Sequence, residues 1–128
     1  MLKILVIDDS SERTELISKT VMSSEDSKHI KLTTCDTADK GRALLTEEFD
    51  LLILDILLPK KNNSTPQALH SVNLLSDINN PRKPYIRPNL IIGLTADIAE
   101  LKTYKDAFLE HASVVLDGSL NSQDWLDT

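Results

Sequence analysis

The chain has a single cysteine, Cys35, and no Cys or His pair at zinc-like spacing, so neither an internal disulfide nor a structural zinc site holds it together. No apolar run approaches the roughly 20 residues of a membrane-spanning helix, and no signal peptide precedes the first predicted strand. The 14 Lys and Arg residues are scattered apart from Lys60-Lys61 and Arg82-Lys83, and the formal charge is −6, so there is no basic footprint for nucleic acid. Repeats and low-complexity segments are also missing. These absences leave a reduced, cytoplasmic protein as the expectation, with no membrane or nucleic-acid contact. A length of 128 residues with 41% hydrophobic content suits one ordinary core, hence one domain over 1–128.

Five short apolar runs are predicted as strands: Lys3 to Ile7, Ile30 to Cys35, Leu51 to Leu54, Asn89 to Leu94 and Ser113 to Leu116. Three of them are continuous rather than alternating, as expected for strands covered on both faces. Between them lie segments with helical spacing. Their stripes are Leu16, Ile17, Thr20 and Val21; Gly41, Leu44 and Leu45; Ala68, Leu69, Val72 and Leu75; and Leu101, Tyr104, Phe108 and Ala112. Ser10 or Ser11 can cap the first helix, Thr65-Pro66 reads as the start of the third, and Asp97-x-x-Glu100 resembles a capping box. The alternation predicts an α/β fold, a doubly wound five-stranded parallel sheet in the order 2-1-3-4-5. Two long loops interrupt the pattern at 59–65 and 79–89, and the final helix looks cut short at Thr128.

The first strand ends in two adjacent carboxylates, Asp8 and Asp9. Like charges side by side at a buried strand end repel each other and call for a cation. In a doubly wound sheet ligands bind beyond the carboxyl ends of the strands. Those ends carry Asp8-Asp9, Asp55, Thr95-Ala96 and Asp117. Three converging aspartates offer hard oxygen ligands of the kind Mg²⁺ accepts while keeping several waters, so weak Mg²⁺ binding is expected.

The motifs "VIDDS", "LDILLP" and "GLTA", in that order on a five-unit β/α pattern, resemble the response-regulator receiver domain of two-component signalling. The resemblance covers nearly the whole chain. It implies the flavodoxin-like receiver topology, with Asp55 taking a phosphoryl group from a histidine kinase or phosphotransfer protein. By the same resemblance Asp9 would bind Mg²⁺ directly, Asp8 largely through water, and the Leu57 backbone carbonyl would complete the protein ligands. The Thr95 hydroxyl and the Ala96 N–H would hold phosphoryl oxygens. The role so implied is regulatory, an atypical receiver that is not an enzyme beyond the chemistry at Asp55, acting on a downstream effector domain or protein.

Two positions depart from that pattern. The family's lysine at the end of the fifth strand is replaced by Asp117, followed by Gly118, and the family's aromatic switch residue is Val114. At an effective dielectric of ~20, each added charge at ~6 Å costs a few kcal/mol before screening, so a fourth carboxylate matters. Lys60 and Lys61, just beyond Asp55, are the nearest substitute cations in sequence. The alternative is a pseudo-receiver that binds a partner without phosphorylation, and a Mg²⁺-dependent phosphohydrolase is a third reading. His29, His70 and His111 are dispersed and read as structural. Cys35 reads as a small buried apolar residue and Trp125 as packing for the final helix.

Overall fold

The structure, a computed structural model, describes residues 2–25, 27–95 and 114–117; Ala68, Thr95 and 114–117 are described by backbone alone. The elements run β1 (Leu2–Ile7), α1 (Ser11–Met22), a 3₁₀ turn (Ser27–His29), β2 (Ile30–Cys35), α2 (Ala38–Leu44), β3 (Leu51–Asp55), α3 (Ala68–Ile78), β4 (Leu90–Thr95) and β5 (Val114–Asp117). All strand pairs are parallel, as the alternation requires, and the sheet order is β2-β1-β3-β4-β5. The fourth predicted helix with the Asp97-x-x-Glu100 box, His111, Gly118 and the final helix with Trp125 lie outside the described residues.

Side chains alternate across a strand, and here both faces are apolar because both are covered. Leu5, Ile7, Leu52, Leu54 and Ile91 pack on one face with Leu45, Leu74, Leu75 and Ile78 of the α2 and α3 side. Ile4, Val6 and Leu94 pack on the other with Ile17 of α1. Strands buried twice over lose the period of two, which is why β1, β3 and β4 read as unbroken apolar runs.

Gly41 is where α2 comes closest to the sheet. A Cβ there would press on the Ile7 side chain, with Cγ1 at 3.2 Å and Cδ1 nearer still. Gly41→Ala is therefore expected to destabilise by about 1–3 kcal/mol through overpacking, against a helix-propensity gain of about 1 kcal/mol. A denaturant midpoint that rises in the variant would show that Ile7 yields freely.

Two helix details correct the sequence reading. The third helix does not start at Thr65-Pro66; its N-cap is Gln67, with extended backbone and no side-chain cap bond. The reason is tertiary: Gln67 N–H donates to the Leu58 carbonyl at 2.9 Å, forming an antiparallel bridge that uses up the preceding turn. The helix then buries Ser71, Leu74, Leu75 and Ile78, an i, i+3, i+4, i+7 face, and leaves Leu69 exposed. In α1 Thr20 is exposed, its hydroxyl donating to the Leu16 carbonyl, and the buried residues are Ile17 and Arg13.

Both long loops are tied down. In 59–65, the Pro59 and Lys60 carbonyls accept the Ala38 and Asp39 N–H groups at 3.0 and 2.8 Å. Thr37 Oγ1 accepts that of Lys40 at 3.1 Å, so three donors at the start of α2 are satisfied. The 79–89 loop returns across α2, with Ile86 N–H donating to the Leu45 carbonyl at 2.7 Å and Tyr85 packed on the core.

Candidate functional site

The site begins where β1 becomes α1. Ser10 is the N-cap, accepting the Arg13 N–H on its hydroxyl at 3.2 Å, while its own N–H donates to Asp8 Oδ1 at 2.8 Å. The cap therefore fixes two side chains at once. Asp8 is held at the strand end with 4% exposure, and Arg13, one turn into α1, points back at it with 5% exposure. Arg13 Nε donates to Asp8 Oδ2 at 2.5 Å and Nη2 to Asp8 Oδ1 at 3.0 Å, a two-pronged fork on one carboxylate.

Asp55 ends β3 in register with Leu94 of β4, while Leu54 of the same strand pairs with Ile7 of β1. It thus reaches the same sheet edge as Asp8. Arg13 Nη2 lies 3.2 Å from Asp55 Oδ2, and the Leu57 N–H donates to Asp55 Oδ1 at 3.2 Å. The segment that follows is braced by Ile56 N–H to the Leu94 carbonyl at 2.8 Å and by the Ser71 hydroxyl to the Ile56 carbonyl at 2.7 Å. Oxygens of Asp8, Asp9 and Asp55 all lie within 4.8 Å of one another. Asp9 is exposed and opens on a cleft of about 470 Å³ between α1, the end of β2 and the start of α2.

The charges are unequal in kind. Burial raises the Asp55 pKa most, the Asp8 charge adds to it, Arg13 opposes it, and a hydrogen bond from the protonated Asp55 carboxyl to the Asp9 side chain and the Asp9 charge add again, bringing Asp55 up to about 9. Arg13, already forked on Asp8, does not offset burial and the two neighbouring aspartates. Burial works against the Arg13 charge, but the Asp8 hydrogen bond and the charges of Asp8, Asp55 and Asp9 outweigh it, and its pKa is raised. At neutral pH these effects favour the protonated form of Asp55.

No protein-family model matches the chain. It is 29% identical over 108 residues to the uncharacterized protein y4jS of Sinorhizobium fredii, covering 84% of this chain and 26% of that one; the chain spans about a quarter of that relative's length. Among solved structures it superposes on the Mn(2+)-bound form of response regulator Rcp1 with a TM-score of 0.68 at 20% identity, covering 99% of this chain and 86% of that one. The phosphorylated cyanobacterial phytochrome response regulator RcpA gives 0.69 at 20% identity, covering 94% and 82%. The chain has the receiver-domain fold of response regulators.

Within this receiver fold the structure brings Asp8, Asp9 and Asp55 together and sets Leu57 beside them. Thr95 ends β4 and is in register with Asp117 of β5, which places both backbones at that sheet edge. Ala96 lies outside the described residues. The two lysines are elsewhere. Lys60 lines a separate cavity with Asp39, Arg42 and Tyr85, and Lys61 is exposed, its N–H donating to the Ser64 hydroxyl at 3.1 Å. The cation against the buried carboxylates is Arg13, which sequence reading passed over. A signal for it existed: Arg13, Ile17 and Val21 share one face at i, i+4, i+8, but a count of apolar residues alone leaves the arginine out.

Cys35 is partly buried against the core, and burial, with Asp36 adding, lifts its thiol to about 11, so it packs without being a thiolate. His70 Nδ1 bonds the Leu58 carbonyl at 2.7 Å, a structural role.

Proposed function

We propose that this chain is a regulatory receiver domain that takes a phosphoryl group on Asp55 from a phosphohistidine of a kinase or phosphotransfer protein. The observation that carries the reading is the cluster of Asp8, Asp9 and Asp55 oxygens within 4.8 Å at the carboxyl edge of a receiver-fold sheet. The donor set is all hard oxygen, with Asp9 open to solvent, which suits Mg²⁺. A neighbour of the same fold is described as Mn(2+)-bound and another as phosphorylated, in keeping with this reading. Asp9, Asp55 and the Leu57 carbonyl would hold the ion, with Asp8 behind them. Bound there, it would supply positive charge to the phosphoryl oxygens.

In the transfer, an ionised Asp55 oxygen attacks phosphorus and the donor P–N bond breaks, its electron pair leaving with the imidazole, which takes up a proton from solvent. The product is an acyl phosphate on Asp55. The Thr95 hydroxyl and the Ala96 N–H are assigned to its oxygens. The output is passed to an effector domain or protein in the cytoplasm.

Intact-mass analysis after incubation with Mg²⁺ and a small acyl phosphate tests this. The expected result is a single added phosphoryl group in the wild type and none in Asp55→Asn. Unlabelled wild type would favour the pseudo-receiver, a reading that gains from Asp117 and from the fork of Arg13 on Asp8. Separately, Asp9→Ala is expected to abolish Mg²⁺-induced amide shifts, since few protein groups hold the ion; unchanged shifts would remove Asp9 from the ligand set.

A further inference from the structure

We infer that Arg13 is the residue that steadies a phosphoryl group on Asp55. The inference rests on Asp55 being the phosphoacceptor and adds the cation that this role requires. A phosphoryl group brings about two further negative charges to a pocket that already holds three aspartates. The ion pairs that Asp8 and Asp55 make among the described residues go to Arg13. Lys40 lines the cleft beside Asp9 but is half-exposed and pairs with Asp36 at 2.8 Å, and Lys60 lines the separate Asp39–Tyr85 cavity. At the end of β5, where a cation would otherwise come, the chain has Asp117.

Position favours Arg13 as well as charge. One nitrogen, Nη2, lies 3.0 Å from Asp8 Oδ1 and 3.2 Å from Asp55 Oδ2, so the guanidinium already touches the carboxylate that would be modified. Its backbone N–H is bonded to Ser10, whose own N–H holds Asp8, so the cation and the carboxylate that aims it are fixed by the same cap. A donor held in place before charge develops needs little reorganisation when it arrives. The planar guanidinium suits phosphate oxygens and is more weakly hydrated than an ammonium, which fits a side chain at 6% exposure. Asp8, by this reading, is a positioning residue: it keeps Arg13 folded back over Asp55.

The opposite possibility is that Arg13 is a plug, whose contact with Asp55 keeps the phosphoryl group out. Fluoroberyllate, a stable phosphoryl mimic, separates the two. Wild type, Arg13→Lys, Asp8→Asn and the double variant Arg13→Met/Asp8→Asn are titrated with Mg²⁺ and then, each at saturating Mg²⁺, with fluoroberyllate, following amide shifts and circular dichroism. The double variant leaves no uncompensated charge at the Asp8 pair, so its fold is protected, and Asp8→Asn alone accounts for whatever Asp8 contributes to the ion. Expected are saturable fluoroberyllate binding in the wild type, retained binding in Arg13→Lys, and a loss of about tenfold or more in the double variant relative to Asp8→Asn. Equal binding in the double variant and Asp8→Asn would overturn the inference, leaving Arg13 a structural counter-ion and Asp55 still a phosphoacceptor. Tighter binding in the double variant than in Asp8→Asn would establish the plug instead. Binding of fluoroberyllate by none of the four would overturn the phosphoacceptor reading itself, and the inference with it.

Discussion

Arg13→Ala is expected to lower the unfolding free energy by about 3–5 kcal/mol, the range for stripping one partner from a buried ion pair. The substitution would leave Asp8, at 4% exposure, and Asp55, at 3%, facing each other without the guanidinium between them. At about 3–4 °C per kcal/mol for a domain of this size, the melting temperature should fall by roughly 10–20 °C. Adding Asp8→Asn should recover most of the loss, because it removes the charge that the missing arginine exposed. A double-mutant cycle by urea unfolding measures both steps. A single-variant loss below about 1 kcal/mol would mean that the pair behaves like a solvated surface contact. Added salt should change the wild-type value little, since buried pairs are screened far less than exposed ones.

Asp55→Asn is expected to act in the other direction, and increasingly so as the pH rises. Asp55 in the folded protein has a pKa near 9, above the unfolded carboxylate value of about 4. Below pH ~4 the group is protonated in both states and contributes no pH dependence. Between pH ~4 and ~9 the unfolded chain ionises freely while the folded site resists, so wild-type stability attributable to this group falls with rising pH, then levels off above about 9. Asparagine keeps a similar shape without a proton to lose. The variant should match the wild type near pH 4 and gain on it with each pH unit, by up to about 5 kcal/mol at pH 8. Urea unfolding at pH 4, 6 and 8 in the absence of divalent cations checks this. A difference that stays constant across the series would show that Asp55 ionises normally in the folded site. Mg²⁺ should narrow the gap at pH 8, because it stabilises the ionised carboxylate that asparagine lacks.

The sequence by itself determined the strand positions to within a residue, the sheet order, a first-helix cap at Ser10 or Ser11 and the meeting of Asp8, Asp9 and Asp55 at one edge. Each of these follows from local or topological rules: apolar runs bounded by polar turns, a side-chain cap acting within one helical turn, and parallel strands whose carboxyl ends must share an edge. Only the tertiary structure decided which cation the aspartates meet. Lys60 and Lys61 are nearest to Asp55 along the chain, yet the bonds from the Pro59 and Lys60 carbonyls to the start of α2 carry that loop toward Asp39 and Arg42. Arg13 is 42 positions from Asp55, and reaches it because β1 and β3 are neighbours in the sheet and α1 turns back over their ends. The start of the third helix was hidden for a related reason: the Leu58–Gln67 bridge links residues on either side of a loop, which no cap signal at Thr65 could register. Charge pairing and bridge formation depend on distance through space, and for these residues the distance is set by the packing of α1 and the sheet rather than by spacing along the chain.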